Sequence, residues 1–335
     1  FDDAHQEMLG VKLSGEQREA VLAFYSDEFL PLLETTAGAK AEPAYYLPAD
    51  EGDIYLQYLY IASNPHPVGE KVLLDDAGDG SAYSDVHGTI HPVLRDYVRE
   101  FGFYDLFLID GSGTMVYSVA KEADLGTNLL DGPYQDSNLA MAFQAAQHDY
   151  LGNSVHLVDF AHHEPSFGEP ASFIAAPIVD GAWLLGVLVF QMPVGEIDNV
   201  MTSNQNWEID GLGKSGESYL VGPDFKMRSN SRFFLEDPEG FLKAAESAGA
   251  SPTDIREIRH FGTTILTQEV RYIASITELI GETATTTTTD YRGIAVLSSY
   301  APLDIEGVEW AILSEIDADE AYARIRVFTR TLMFR

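Results

Sequence analysis

The chain has no cysteine and few basic residues for its size. The absence of cysteine excludes disulfides, cysteine nucleophiles and thiolate metal sites, although it does not identify a cellular compartment. Only 20 of the 335 residues are Lys or Arg, against 53 Asp or Glu, so the formal net charge is −33. Such a charge repels phosphate backbones and anionic lipids, and we therefore expect no nucleic-acid partner. Because the acidic residues are dispersed along the chain, they indicate a solvated surface suited to a saline exterior.

Sequence motifs of the common enzyme classes are also missing. There is no Gly-x-Ser-x-Gly elbow, Walker loop, HExxH pair or dinucleotide fingerprint, and Gly111-Ser112-Gly113 closes a hairpin rather than opening a helix. We therefore predict that the chain is not an enzyme and has no cofactor. No signal peptide or membrane span is present either. The chain starts without Met and ends in an increasingly apolar helical pattern, which fits a segment between two membrane helices and also a trimmed soluble protein.

Long β-hairpins dominate the pattern that is present. The stretch from Pro170 to Pro193 has two nearly continuous apolar runs around the turn Asp180-Gly181, and residues 294–316 repeat this layout. The upstream strand pairs at 103–118 and 216–231 repeat as well, at a domain-sized spacing. With a hydrophobic content of 45%, the chain is expected to form two α+β domains, each with a central antiparallel sheet and a helical insert.

The order of elements follows from helical periodicity and turn residues. Capping by Ser14 and Gln17 starts a long amphipathic helix that ends near residue 35. In the first half, further helices are predicted at 55–63 and 84–100 and in the second part of 124–147, followed by a strand at 154–160 and a bend at 161–169. In the second half, the predictions are a largely helical insert at 238–281, the entry to a strand at 283–290 and a helix from Asp319 to Arg335. The predicted divisions are 1–53 (N-terminal helix and connector), 54–200 (first module), 201–316 (second module) and 317–335 (C-terminal helix).

Several of these stretches resemble a known sensor family. The segments YIASNPHPVGEK, FYDLFLIDGSGTMVYSV, GVLVFQMP, GESYLVGPDFKMRS and DYRGIAVLSSYAPL are similar to double Cache (dCache) domains of the methyl-accepting chemotaxis receptor type. The resemblance covers almost the whole chain. It implies an α+β fold of two PAS-like (Cache) modules behind a long N-terminal helix. It also implies a membrane receptor whose extracytoplasmic, membrane-distal module binds a small molecule between the sheet and its helical insert.

The resemblance also indicates where that ligand would bind. An acidic residue near the third strand bonds a ligand amine in the family, and Asp159, His162 and Glu164 stand at that bend. Together with aromatic walls and polar groups on the central hairpin, the candidate ligand-binding residues are Tyr117, Tyr134, Asp159, His162, Glu164, Ser172 and Gln191. The family's amino-acid-binding subgroup carries Arg-x-Trp-Tyr, Tyr-x-Asp and a final Asp. This chain has TNLLDGPYQDSN, His162-x-Glu164 and Gln191 in those places, so we do not expect an α-amino acid ligand.

Two metal sites were weighed against this pocket. The cluster of His156, Asp159, His162, His163 and Glu164 has residue types that bind zinc or nickel, but adjacent histidines point to opposite sides of an extended strand. Residues 72–82 are acidic and Gly-rich, but no Glu stands in the twelfth position that a calcium loop requires. We therefore predict no metal.

The most favoured function is the sensor domain of a chemotaxis receptor. The expected partners are a small-molecule ligand, a second chain in a receptor dimer, and the membrane through flanking helices. The alternatives are the sensor domain of a membrane-bound histidine kinase or nucleotide cyclase, or a secreted solute-binding protein. A span of about 20 apolar residues after Arg335 would favour a receptor.

Overall fold

The computed structural model describes residues 1–36, 41–152, 154–207, 211–270 and 283–323, which divide into two compact units, Phe1–Pro193 and Val194–Arg335. The predicted α+β class is confirmed, since each unit has one antiparallel sheet with helices around it. None of the described helices is both long and apolar enough to cross a membrane.

The first unit begins with helices and continues into a five-stranded sheet. Its α-helices are α1 (Asp2–Met8), α2 (Gly15–Phe24), α3 (Leu30–Thr36), α4 (Glu51–Gln57), α5 (Ala82–Glu100) and α6 (Asn138–His148). A π-helical turn, Tyr25–Phe29, joins α2 to α3, and another, Tyr58–Ala62, follows α4. Short 3-10 turns lie at Pro43–Tyr46, Lys71–Leu73 and Glu164–Ser166. The strands are β1 (Leu106–Asp110), β2 (Met115–Ser118), β3 (His156–His163), β4 (Glu169–Asp180) and β5 (Trp183–Gln191), in the order β2-β1-β5-β4-β3.

The central hairpin forms as the sequence predicts. The β4 and β5 strands are antiparallel, and Gly181 between them has a φ of +61°, a conformation that glycine adopts without steric cost. Gly186 on β5 lies opposite β1, where an added Cβ would stand 2.5 Å from the Ile109 carbonyl oxygen. Glycine at this position therefore permits the close pairing of β1 with β5.

The two faces of this sheet bury different clusters. One face carries Phe107, Phe173 and Val189 under helix α6. The other face carries Leu108 and Tyr117, which pack near Val98 of α5. Because side chains alternate along a strand, residues one position apart on β4 or β5 face different compartments.

The helix ends follow the predicted capping chemistry. Ser14 accepts from Gln17 N at 3.2 Å, and Gln17 accepts in return from Ser14 N at 2.8 Å. Other bounds differ from the prediction. Helix α1 was not predicted, the helix expected at 55–63 already begins at Glu51, and α5 runs from Ala82 with Pro92 inside it. The third strand extends to His163, so the bend expected at 161–169 is confined to the residues after that histidine.

The second unit has a four-stranded sheet of order β6-β9-β8-β7. Its elements are α7 (Val194–Met201), β6 (Glu217–Val221), α8 (Arg232–Glu236), α9 (Pro238–Ala248), α10 (Pro252–Phe261), β7 (Ala284–Thr289), β8 (Ala295–Pro302), β9 (Ala311–Asp317) and α11 (Ala318–Ala321). The threonine-rich segment is itself a strand, β7. The prediction of a strand pair at 216–231 is wrong in its second strand. The first strand forms as β6, but the residues after it pair with β6 only through an isolated bridge between Val221 and Met227.

The predicted repeat of the central hairpin is confirmed as a second pair of antiparallel strands, but the tryptophans of the two hairpins differ in burial. The β8–β9 pair matches β4–β5, and Pro177 and Pro302 both lie within paired strands. However, Trp183 is 77% exposed whereas Trp310 is 4% exposed. The end of the predicted 238–281 insert and the predicted helix beyond residue 323, with the apolar residues Ile325, Phe328 and Leu332, lie outside the described residues.

Candidate functional site

A groove in the first unit brings three of the predicted site residues together. It has a volume of about 550 Å³, and its walls include Tyr134, His162 and Glu164. Two further tyrosines, Tyr45 and Tyr46, line it from the 3-10 turn that contains them. The groove therefore combines aromatic side chains with carboxylates in one concave surface, as small-molecule sites commonly do.

The tyrosines of the groove are held by a buried aromatic cluster. Tyr46 stacks on Tyr25 with ring centroids 5.7 Å apart, and the Tyr25 hydroxyl donates to the Tyr46 carbonyl at 3.2 Å. The Tyr134 ring lies 6.2 Å from that of Tyr46. Tyr45 is 54% exposed and its hydroxyl donates to the Pro133 carbonyl at 3.4 Å. The groove wall is therefore buried at Tyr46 and Tyr134 and open to solvent at Tyr45.

Carboxylates form the rim of the groove. Glu164 and Asp136 are exposed, and Glu164 opens the 3-10 turn that follows β3. Partial desolvation raises the pKa of Glu164, while the nearby His163 opposes that rise. Burial, together with the charge of Glu164, raises the pKa of Tyr46 to about 12. The rim is thus negative and the tyrosine beneath it keeps its proton.

Tyr134, which lines the groove, also belongs to a group of buried polar side chains that we call the inner polar cluster: Asp124, Tyr134, Asn138, His163 and Gln191. Asp124 and His163 are both 0% exposed. Seven side-chain atoms of this cluster have no hydrogen-bond partner within the described residues: both Asp124 oxygens, the Tyr134 hydroxyl, Asn138 Oδ1, Gln191 Oε1 and both ring nitrogens of His163. His163 Nε2 lies 3.4 Å from Asp124 Oδ2, close enough for an ion pair but not aligned as a hydrogen bond.

The fold places these side chains at one end of the sheet. His163 is the last residue of β3 and its ring meets Phe173 edge-on at 5.1 Å. Gln191 ends β5 directly opposite Phe173, so their side chains share a face. Asn138 opens α6 and donates to the carbonyls of Asp159 and Ala171, at 3.0 and 2.7 Å. Those two bonds fix the orientation of its amide and leave its oxygen as an acceptor.

Four of the seven unpaired atoms of the inner polar cluster can only accept hydrogen bonds, whereas the Tyr134 hydroxyl and the His163 ring can donate. More than nine in ten buried polar groups in native proteins are hydrogen-bonded, so several unpaired groups at one place require an explanation. The unpaired atoms of Asp124, Asn138 and Gln191 are all acceptors, and one of these side chains carries a negative charge. The arrangement is therefore complementary to a group that has several hydrogen-bond donors and a positive charge.

The other predicted site residues lie elsewhere. Tyr117 is on the opposite face of the sheet, where its hydroxyl meets His91 Nδ1 at 2.7 Å. Ser172 lies one position from Phe173 and donates to the Val158 carbonyl at 2.7 Å. Asp159 was expected to be a buried anion, but it is half-buried and accepts from Phe160 N at 2.7 Å in the irregular part of β3. The buried carboxylate of this region is Asp124 instead.

Tyr134 and Gln191 of this cluster were predicted as site residues, whereas Asp124, Asn138 and His163 were not. The alternation of side chains along a strand implied that one of His162 and His163 faces inward, and the inward one is His163. Asp124 lies in the loop after β2 and nothing in its neighbours marks it as buried. Within the described ranges, no group of three His, Asp or Glu residues is arranged to hold a metal ion.

Comparisons with known proteins give similarity to sensor domains. No protein-family model matches the chain, and no curated protein matches it. Among solved structures, the Pseudomonas aeruginosa chemoreceptor PctB ligand-binding domain with L-Gln is 14% identical, with 100% of each chain covered and a TM-score of 0.39. The Pseudomonas fluorescens chemoreceptor CtaA ligand-binding domain with L-isoleucine is 12% identical, with 96% of each chain covered and a TM-score of 0.43. The sensor domain of the V. cholerae histidine kinase DctB is 15% identical over 93% of this chain and 98% of that one, with a TM-score of 0.41. These three are domains of the class named by the resemblance in the sequence, and likeness at this level carries no argument about the ligand of this chain.

Proposed function

We propose that the chain is the extracytoplasmic sensor domain of a transmembrane receptor and that its first unit binds a small organic cation. The single observation that carries this proposal is the inner polar cluster, whose unpaired buried atoms are mostly acceptors and include the carboxylate of Asp124. A protonated amine supplies both the positive charge and up to three donors.

The groove, which Tyr134 also lines, supports the same ligand class. The exposed ring of Tyr45 can contact a cation, and Asp136 and Glu164 add negative charge at the mouth. Among the described residues that line the groove, there is neither Lys nor Arg, and His162 is the one side chain that can carry a positive charge.

This electrostatic pattern sets the site apart from an α-amino acid site. Solved structures similar to this chain include domains bound to L-Gln and L-isoleucine, which carry a carboxylate beside the amine. In this chain the segment 127–138 has no Arg or Trp to hold such a carboxylate. An amine without an adjacent carboxylate fits the site better.

The receptor setting follows from the resemblance of the two units to Cache modules. In that setting, the first unit is membrane-distal, helices flanking this chain enter the membrane, and two chains associate in the receptor. A chemotaxis output is the leading proposal, with a histidine kinase or cyclase output as the alternative. The full-length gene separates these possibilities, because each output domain follows the membrane span.

Titration calorimetry with three probes of similar size tests the ligand class. We expect ethylammonium to bind most tightly, tetramethylammonium more weakly because it has charge but no N–H donors, and propionate not at all. Asp124→Asn and Glu164→Gln should each weaken ethylammonium binding by about ten- to a hundred-fold, since a charged hydrogen bond is lost. Asp180→Asn, at the exposed hairpin tip, is the matched control and should bind as the unaltered chain does.

The outcomes separate the parts of the proposal. Binding of propionate in preference to both cations would refute the cationic class. Suppose that ethylammonium and tetramethylammonium bind with equal affinity, and that a folded Asp124→Asn protein binds both as the unaltered chain does. The ligand would then bind in the groove without contacting the inner polar cluster. Should Asp124→Asn fail to fold, Glu164→Gln still decides whether the carboxylate rim contributes, because Glu164 is exposed.

A further inference from the structure

A second cavity in the first unit has the opposite electrostatic character. It has a volume of about 580 Å³ and lies between the N-terminal helices, α5 and the loops after β2 and β3. Four basic side chains line it, Lys71, Arg95, Arg99 and Lys121, in a chain that has only 20 Lys and Arg residues among 335. Their convergence is notable in a protein of net charge −33.

The two lysines are buried without a carboxylate partner. Lys71 is 5% exposed, and its ammonium donates to the carbonyls of Ile61 at 2.8 Å and His66 at 3.3 Å. Lys121 is 1% exposed, and its Nζ lies 2.9 Å from His91 Nε2 and 3.3 Å from the Val119 carbonyl. No carboxylate of the described residues forms an ion pair with either amine. Buried lysines are ordinarily paired with an anion, so two buried amines without an ion pair in one cavity wall indicate a site for an anion, which would favour their protonated form.

The backbone at Lys121 is consistent with a built site. Its φ is +61°, in the left-handed region that is uncommon for residues other than glycine. The Ser118 hydroxyl holds this conformation by accepting from Lys121 N at 2.9 Å, while the same hydroxyl donates to Asp105 at 2.7 Å. Strained conformations of this kind occur often at functional sites.

The acidic side chains that line the cavity are already engaged. Arg95 pairs with Asp75 at 2.6 Å, and Arg99 pairs with Asp96 at 2.9 Å. Glu122 accepts from the Tyr104 hydroxyl at 2.7 Å and from the Ser166 hydroxyl at 2.6 Å. Lys71 and Lys121 are thus the basic side chains of the lining that form no ion pair with a described residue.

We propose that this cavity is a second ligand site, which binds a small carboxylate with a short apolar chain between Lys71 and Lys121. The apolar part of such a ligand would be matched by the remainder of the wall, which includes Phe24, Val68, Val98, Phe103 and Phe167. The site is separate from the groove proposed for cations, and neither proposal depends on the other.

Calorimetry with butyrate tests the site, with butylammonium and 1-butanol as probes of the same chain length. We expect butyrate alone to bind. Lys71→Met and Lys121→Met should each weaken its binding by about ten- to a hundred-fold, because methionine keeps the length of the side chain and removes the charge. Val68→Trp, which fills the cavity without changing charge, should also prevent binding, whereas Lys12→Met at an exposed position should have no effect.

Ethylammonium binding serves as the internal reference for these variants. It should be unchanged in both lysine variants, and butyrate binding should be unchanged in Glu164→Gln, so failure of one proposal is distinguishable from failure of the other. The carboxylate site is overturned if neither butyrate nor the longer hexanoate binds. It is equally overturned if butanol binds as tightly as butyrate, or if folded Lys71→Met and Lys121→Met proteins both retain full affinity for butyrate.

Discussion

Titration of Lys121 should make the first unit more stable as the pH rises above neutrality. Burial, the largest cause, lowers the pKa of this lysine from 10.5 to about 7. The titratable groups that face it are Asp105, Asp75, Arg95 and His91, and burial keeps His91 neutral above neutrality by lowering its pKa to about 4. Because the folded-state pKa lies below the unfolded value, the unfolded chain binds more protons between pH 7 and pH 10.5. The free energy of unfolding must therefore increase with pH through this window.

The magnitude follows from proton linkage. Each pH unit well above the folded-state pKa contributes about 1.4 kcal/mol for one proton. Between about pH 7 and pH 9, where folded Lys121 changes from half to almost fully deprotonated, the expected gain is about 2 kcal/mol. This increase in the free energy of unfolding is larger than the effect of most substitutions of exposed side chains. It arises from the Lys121 amine alone, which a mutation can remove.

The assay is urea unfolding at several pH values for three proteins. The unaltered chain and Lys12→Met should gain stability from about pH 7 to pH 9, whereas Lys121→Met should lack the part that comes from Lys121. The difference between Lys121→Met and the unaltered chain cancels the contributions of other titrating groups. Parallel pH profiles for all three proteins would refute the reasoning, since they would mean that Lys121 keeps an ordinary pKa in the folded chain.

Three shorter predictions concern the rest of the chain. With a net charge of −33, self-repulsion should be screened by salt, so the melting temperature should rise from low ionic strength to about 1 M NaCl; an unchanged value would contradict this. Tyr291→Phe should destabilise the second unit by about 1–3 kcal/mol in urea unfolding, because buried Glu217 loses the hydroxyl that donates to it at 2.6 Å. Gly186→Ala should destabilise the first unit by about 1–3 kcal/mol, since the new Cβ would meet the Ile109 carbonyl; a variant as stable as the unaltered chain would show that β1 can shift.

Local signals in the sequence were sufficient for elements whose ends are set by neighbouring residues. The capping pair Ser14 and Gln17 marks the start of α2, and Asp180-Gly181 marks the central hairpin, because both depend on contacts a few residues apart. The prediction that the strand pair of the first unit is repeated at 216–231 was wrong. Its turn resembles the turn in the first unit, but Met227 forms only an isolated bridge and no second strand follows. Whether an extended segment becomes a strand depends on a partner edge, which the sequence does not display.

The candidate sites were harder to predict because their chemistry depends on burial. Asp124 and His163 are separated by 39 positions, yet their side chains meet at 3.4 Å inside the first unit. Lys71 and Lys121 resemble ordinary surface lysines in sequence, and only the fold shows that they are almost inaccessible. In contrast, Tyr134, His162 and Glu164 were predicted as site residues from the sequence, and they line one groove. The resemblance indicates the region of a pocket but not the charges that surround it.

The two cavities meet at one short segment, the turn after β3. Glu164 lines the groove, whereas Pro165 and Phe167 line the lysine cavity, and Ser166 between them donates to Glu122. Phe167 has a φ of +55°, so this turn is held in a conformation that few side chains adopt without support from their surroundings. A cation on one side of the turn and a carboxylate on the other would each act on its own charged groups. A displacement of this turn would therefore couple the two ligands, and by linkage such coupling would change both affinities by the same factor.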